Sequence, residues 1–403
     1  MKASERLLKY AVIYTGSDED HAEQTPSTPE QMTLAQVLAE DMRDIGLTDV
    51  SVDAHAYVYG FLPATAGREQ CPPIGFIAHI DIVNEFGTSE IHPQIIKEYD
   101  GGEIALGTSG RTLDTVQFPD LKQAVGKTVI TTDGTTVLGA DDKAGVAEIL
   151  TMCERLVRDN LPHGKICVCF TPDEEIGHGA ALLDLEKFGA SYAYTVDGGA
   201  PNEVEWETFY AAAADWSIAG VSVHPGDAKD KMVNAALVAM EMNGMLPPDE
   251  IPAKTQGREG FFHLCDMSGD VSAAKLSYII RDHDAEKFSQ RKQTMREIER
   301  KINETYGVGT AALTLREQYR NMAEILQHHP DVVEQAKRAI RAVGLTPVSN
   351  PVRGGTDGAQ LSFRGLPCPN LGTGAYALHG PYEHAIAEQM DVMTEILLHI
   401  AQA

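Results

Sequence analysis

The chain has no stretch approaching the roughly 18–20 consecutive apolar residues that a membrane-spanning helix needs, so no membrane association is expected. Its opening, Met1-Lys2-Ala3-Ser4-Glu5-Arg6, lacks the long apolar core of a signal peptide. Cysteine is sparse: six residues, scattered, with no C-x-x-C pair. That usage fits reduced thiols rather than a disulfide framework, and a cytoplasmic location is expected. Positive charge is scarce as well, with 33 Lys and Arg against 59 Asp and Glu, a formal net charge of −26. Such a surface repels a phosphate backbone, so nucleic acid is not an expected partner. Internal repeats and low-complexity segments are missing. So are a G-x-S-x-G elbow and an H-E-x-x-H helix, which leaves serine hydrolase chemistry without support.

What is present is the composition of a globular protein: 403 residues, 43% hydrophobic and 23% charged, enough for two domains and a sizeable core. Residues 5–14 suit a short helix. Thr28-Pro29-Glu30-Gln31 reads as a capping box with proline at the first helical position. Leu34, Val37, Leu38, Met42 and Ile45 follow at helical spacing, with Gly46 as the stop. Residues 50–58 alternate like a strand, and 74–80, 127–132, 165–170 and 191–196 read as further strands. Cys167 and Cys169 alternate on one of these and are expected to share a face as small core residues. A helix is expected over 144–158 and long loops over 82–126. Strands alternating with helices predict an α/β sheet with parallel character, where ligands gather beyond the carboxyl ends of the strands.

Near Phe209 the texture changes. Residues 211–223 are small, alternating and apolar, followed by a helical stretch from Val233 and a strand at 275–280. A charged helix over 284–305 would bury Phe288, Met295, Ile298 and Ile302, and a strand at 310–315 closes this portion. The pattern predicts a first domain of 1–208, an inserted smaller α/β domain of 209–320, and a return to the first domain over 321–403, with helices at 331–343 and 391–402.

The chemistry concentrates in four short segments: Ala78-His79-Ile80-Asp81, the stretch from Thr132 to Gly145 with Asp141-Asp142, Thr171-Pro172-Asp173-Glu174-Glu175, and Thr195-Val196-Asp197-Gly198-Gly199. Each follows an apolar run. His79 and Asp81, two apart on a strand, share a face, and a carboxylate there can accept the second N–H of a metal-binding histidine. Alone, Asp141-Asp142 reads better as an acidic pair favoured by a helix dipole than as a functional pair, and Glu174-Glu175 reads equally as a solvated loop. Packing all these like charges together would be costly without a cation, and a pair of divalent ions removes that objection. His379-Gly380-Pro381-Tyr382-Glu383 adds a late histidine. Arg353-Gly354-Gly355-Thr356-Asp357-Gly358 lacks the Gly-Lys-Ser/Thr of a phosphate loop. An Arg held by a tight turn suits bidentate carboxylate binding, or more plainly a structural salt bridge.

At these residues the chain closely resembles the M20 metallopeptidase family, and within it the tripeptide aminopeptidases, essentially end to end. The likeness also runs through Gly75-Phe76-Ile77, His92-Pro93-Gln94-Ile95, Leu138-Gly139-Ala140, Val223-His224-Pro225-Gly226 and Tyr278-Ile279-Ile280-Arg281-Asp282. It implies a two-domain zinc-peptidase fold: a catalytic domain built on a mixed sheet flanked by helices, plus an inserted α/β domain of the lid or dimerisation type. It implies two Zn2+ ions per subunit, with Co2+ or Mn2+ as substitutes. His79, Asp141 and Asp197 would hold one and Asp141, Glu175 and His379 the other, with Asp141 bridging. In the same way Asp81 would orient His79, Glu174 would act as general base and acid, and His224 would help hold the carbonyl oxygen. Arg281 and Arg353 would grip the substrate's C-terminal carboxylate. The peptide between the adjacent aspartates is typically cis in this family, and members can pair through the second domain, so a homodimer is admitted.

The implied activity is removal of the N-terminal residue from short peptides, chiefly tripeptides. Its rivals are another M20-type amidohydrolase, such as a dipeptidase or deacylase, and a non-catalytic metal- or peptide-binding relative. The intact Glu174 argues against the last. Departures from the family pattern are Tyr382, where relatives commonly carry histidine, Asp114-Thr115, where they carry Ser-Pro, and the turn Gly372-Thr373-Gly374-Ala375. None removes a proposed ligand.

Overall fold

A computed structural model describes residues 1–84, 86 and 90–403. The chain divides into two compact units. The first comprises Met1–Trp206, Met322–Asn350 and Thr356–Ala403, and the second Glu207–Asn321 with Pro351–Gly355. Residues 351–355, expected in the resumed first domain, therefore group with the second unit.

The first unit is built on a seven-stranded sheet in the order Thr48–Val52, Val58–Leu62, Ile166–Thr171, Ile74–His79, Tyr192–Gly198, Asn370–Gly372, Val204–Glu205. The four strands from Ile166–Thr171 to Asn370–Gly372 are parallel, and the outer three run antiparallel to their neighbours. Alternate side chains of the central strands enter two different cores. Phe76, Ala78, Val168, Phe170, Tyr194 and Val196 pack in one, with residues of the helices Ala140–Arg158 and Ala387–Ala401. Ile77, Cys167, Cys169 and Ala193 pack in the other, with Tyr57, Tyr59 and Phe188. Burial on both faces explains the unbroken apolar runs, and each large side chain so buried contributes about 1.5–3 kcal/mol. Cys167 and Cys169 do share a face.

Four expectations change. Residues 50–58, read as one strand, are the end of Thr48–Val52, a turn, and the start of Val58–Leu62, the two strands pairing antiparallel with Val52 opposite Val58. Val129–Thr132 joins not this sheet but a separate antiparallel one, ordered Ala375–Tyr376, His384–Ile386, Val129–Thr132, Pro93–Ile96. Four β-favouring residues carry no information about which sheet receives them. Region 82–126, read as loops, also contains a hairpin of Ile104–Leu106 and Arg111–Leu113 and a 3-10 turn at Pro119–Ala124; positions 85 and 87–89 lie outside the described residues. The capping box does not form. The helix Glu30–Ile45 ends at Gly46 in the left-handed region as expected, but Thr28 Oγ1 donates to the Gly16 carbonyl at 2.7 Å, and Gln31 gives its Nε2 to the Thr28 hydroxyl at 3.2 Å while its Oε1 accepts the Asp173 amide at 3.1 Å.

The second unit is a four-stranded antiparallel sheet, ordered Phe261–Gly269, Ala273–Asp282, Tyr210–Ala219, Ala311–Tyr319. The helices Ala235–Gly244 and Ala285–Tyr306 pack against it. Phe288, Met295, Ile298 and Ile302 form the buried stripe of the long helix, meeting Trp216, Ile218, Leu276 and Ile280. Phe261–Gly269 escapes a reading by pattern because it is an edge strand, exposed or half-exposed from His263 onward. Among the described residues no helix is long and apolar enough to cross a membrane.

Candidate metal centre

Three of the four sequence segments end parallel strands of the large sheet. His79 is the last residue of its strand, Asp197 lies near the end of Tyr192–Gly198, and Glu174 and Glu175 follow Ile166–Thr171. Asp141 arrives from a different direction, at the start of the helix Ala140–Arg158, which the chain reaches from the small antiparallel sheet. What brings it close is Gly145. A Cβ there would stand 1.9 Å from the Val196 carbonyl oxygen, so the first turn of the helix lies directly on the Asp197 strand. The peptide joining Asp141 to Asp142 is cis.

Asp141 is shared. Its Oδ1 lies 3.0 Å from His79 Nε2 and its Oδ2 3.0 Å from His379 Nε2. Asp197 Oδ1 lies 3.5 Å from the same His79 nitrogen, and Glu175 Oε2 3.1 Å from the same His379 nitrogen. Two triads result, His79–Asp141–Asp197 and Asp141–Glu175–His379, each with ligand atoms within 4.8 Å of one another. At each, two carboxylates converge on one ring nitrogen, and a single N–H cannot satisfy both. Glu175 Oε1 is buried without any hydrogen-bond partner. An orphaned carboxylate oxygen and a nitrogen-plus-oxygen donor set fit a pair of divalent cations of the zinc type.

Buried carboxylates fix the backbone around this centre. Asp81 Oδ1 and Oδ2 accept the amides of Glu174 and Glu175 at 3.0 and 3.1 Å. His79 Nδ1 lies 3.1 Å from the backbone carbonyl of Asp81 and 3.4 Å from its carboxylate. Asp81 thus holds the ring chiefly through its main chain, and its side chain organises the two glutamates. Glu383 accepts the amides of Leu138, Gly139 and Asp141 at 2.7, 2.9 and 2.9 Å, pinning the entry to the Asp141 helix. Asp142 accepts the His79 amide at 3.2 Å and the Gly145 amide at 3.1 Å. Glu383 and Asp142 were not singled out for any role by the sequence. The only signal was their place in the quoted motifs.

The electrostatics are those of an acid-rich, buried site. Burial pushes the Asp197 carboxyl up to about 8, against the pull of His79. Burial, then the Asp197 charge, push the Glu174 carboxyl well above the usual range, with Asp357 and Glu175 adding to it. Burial also raises the Asp141 carboxyl, but its bonds to His379 and His79 win and hold it well below the usual range. The same bonds, Asp141 first and Glu175 second, lift the His379 imidazole to about 11. Bound cations would invert this balance, keeping the carboxylates ionised and the imidazoles neutral.

The remaining sequence candidates lie in the second unit. His224 is exposed and opens the turn Pro225–Asp227, its Nδ1 accepting the Gly226 amide at 3.1 Å. Arg353 donates to the carbonyls of Gly257 and Glu259 at 2.8 and 2.9 Å and to Thr255 Oγ1 at 2.9 Å, with its guanidinium over the rings of Phe209 and Phe261. Arg281 is the strand partner of Phe261 and lies over Tyr319. The two arginines therefore share the surroundings of Phe261. Of the departures, Asp114 Oδ1 accepts the amides of Val116 and Gln117 at 2.7 and 2.9 Å, a turn built without proline. Tyr382 packs on Phe118 with ring centroids 5.1 Å apart.

The chain is similar to known proteins along its whole length. The family model described as peptidase family M20/M25/M40 matches residues 113–403, and the chain belongs to that family. Peptidase T of Clostridium perfringens is 48% identical over 400 residues, covering 99% of this chain and 98% of that one. Peptidase T of Bacillus licheniformis is 45% identical over 403 residues, 100% of this chain and 98% of its own length. Among solved structures, the aminopeptidase PepT from Bacillus cereus superposes with a TM-score of 0.77 at 25% identity, covering 100% of this chain and 97% of that one.

Proposed function

We propose that this chain is a two-metal aminopeptidase that releases the N-terminal residue from short peptides, chiefly tripeptides. The observation that carries the reading is the Asp141 carboxylate, whose two oxygens each face a separate histidine–carboxylate pair. It is supported by full-length relatives at 45–48% identity that bear the name peptidase T. Two divalent cations held by His79, Asp197, Glu175, His379 and the bridging Asp141 would supply Lewis acidity to the scissile carbonyl and acidify the attacking water. Zn2+ suits these donors, and Co2+ or Mn2+ would as well.

Glu174 takes the proton of the attacking water and delivers it to the leaving amine. The Asp81 carboxylate, which accepts the Glu174 amide at 3.0 Å, holds its backbone in place. For the second unit, the reading gives Arg281 and Arg353 the peptide's terminal carboxylate, which a planar guanidinium binds bidentately. His224 is assigned the carbonyl oxygen. Six free cysteines accord with a cytoplasmic enzyme, the charge of −26 with peptides rather than nucleic acid as ligands, and homodimerisation through the second unit belongs to the same reading.

The test is metal content by elemental analysis on the sample assayed against di-, tri- and tetrapeptides and acylated amino acids. Two metals per chain and a clear preference for tripeptides are expected. Preferred cleavage of dipeptides or acylated amino acids would move the assignment to another amidohydrolase of the family. Glu174→Gln should cut turnover to a small residual rate with both metals retained, and full activity in that variant would end the proposed mechanism.

A further inference from the structure

The segment Thr28-Pro29-Glu30-Gln31, which reads as a helix cap, performs a different task together with Ser27. Gln31 is fully buried in the first turn of the helix Glu30–Ile45. Its side-chain amide donates to Asp173 Oδ1 at 2.6 Å, while its Oε1 accepts the Asp173 amide at 3.1 Å. Ser27 adds its own amide, 2.8 Å from Oδ2, and its hydroxyl, 2.6 Å from Oδ1. Asp173 is fully buried and every group facing its carboxylate in these bonds is a donor. Its φ of +56° lies in the left-handed region, which few residues other than glycine, asparagine and aspartate adopt readily. The next residue is Glu174.

We propose that Gln31, Ser27 and Asp173 form a positioning latch for Glu174, setting the direction in which its carboxylate leaves the strand end. Asp81 fixes the Glu174 and Glu175 amides from one side. The latch fixes the preceding residue from the other, and the turn closes through Gly177 N to Glu174 O at 2.6 Å and His178 N to Asp173 O at 2.8 Å. With both flanking peptides held, the left-handed turn at Asp173 leaves Glu174 one backbone orientation. Gln31 and Ser27 touch none of the groups proposed to hold metal, so their loss should misdirect the base without emptying the cation positions. A displacement on the order of 1 Å at a reacting group lowers turnover by about 100-fold.

The inference rests on the peptidase reading, and the experiment separates the two. Wild type, Gln31→Leu, Ser27→Ala, Glu174→Gln and the double variant Gln31→Leu/Glu174→Gln are assayed with one tripeptide, with metal content measured on each sample. The expected result for Gln31→Leu is a fall in kcat of about 10- to 100-fold, KM within about twofold and wild-type metal content. Ser27→Ala removes the hydroxyl's bond to Asp173 at 2.6 Å together with those it accepts from the Asp18 amide at 2.9 Å and Gln31 Nε2 at 3.4 Å, and because both Gln31 bonds to Asp173 remain it should show a smaller fall of the same kind. Adding Gln31→Leu to Glu174→Gln should cost nothing further, because the base being positioned is gone. An active wild type whose kcat is unchanged in both latch variants overturns the latch alone, as does a fall in kcat that tracks lost metal or that persists in the Glu174→Gln background. A wild type inactive on all peptides overturns the peptidase reading and the latch with it.

Discussion

Asp81 and Glu174, 93 residues apart in sequence, are joined by a side-chain-to-backbone hydrogen bond of 3.0 Å, the carboxylate of one accepting the amide of the other. The Glu175 amide bonds the second oxygen at 3.1 Å. Asp81→Asn keeps the shape but turns one acceptor into a donor facing a buried N–H. An unsatisfied buried group costs about 1–3 kcal/mol, so urea unfolding should show a loss of that size. Turnover should fall with it, because both glutamates hang from this clamp.

Asp141→Asn should remove both metals together, since each triad contains that carboxylate. Asp197→Asn and Glu175→Gln each disturb one triad and should leave about one metal per chain bound more tightly than the other. Elemental analysis after dialysis decides this. Loss of a single metal in Asp141→Asn would refute the bridge.

Gly145→Ala sets two effects against each other. Helix propensity favours alanine by about 1 kcal/mol. The added methyl would meet the Val196 carbonyl oxygen at 1.9 Å and Asp142 Oδ1 at 2.6 Å, and overpacking of this kind costs about 1–3 kcal/mol or more. The clash wins, and the variant should be destabilised in thermal unfolding and bind metal more weakly.

Glu148 lies fully buried on the Ala140–Arg158 helix, with neither oxygen hydrogen-bonded, and burial raises its carboxyl well above the usual range. Below the unfolded pKa of about 4.3 both states are protonated and nothing is lost. Above it the unfolded chain ionises while the folded chain keeps its proton, so stability falls with rising pH by up to about 1.4 kcal/mol per unit. Glu148→Gln should be close to wild type at pH 4 and progressively more stable than wild type towards pH 7. A difference in stability that does not change with pH would refute the buried neutral acid.

Arg353→Ala should raise KM for free tripeptides far more than for C-terminally amidated ones. Equal effects on both would remove Arg353 from carboxylate binding.

Much of this was legible in the sequence, for reasons particular elements make plain. The helix Ala285–Tyr306 announces itself because Phe288, Met295, Ile298 and Ile302 keep one face over about four turns. The strands Ile74–His79 and Ile166–Thr171 are buried on both sides and read as continuous apolar runs. His79, Asp141, Glu175, Asp197 and His379 stand out because their motifs do, and the fold brings all five together. The clamps stayed hidden. A carboxylate that binds amides 93 or 245 residues away, as Asp81 and Glu383 do, leaves no local pattern. Gln31 misled because its spacing from Thr28 is that of a cap, while a buried aspartate 142 residues distant offered a charged acceptor.

The two histidines of the centre differ sharply in access: the His79 side chain is 2% exposed and that of His379 52%. If the paired ions occupy these triads, they are unequal in lability. The one beside His379 would exchange with the bathing solution more readily than the one beside His79. Protein purified in dilute buffer would then arrive half-charged and regain full activity on titration with the missing ion. The exchangeable position would also set the concentration threshold at which the enzyme switches on.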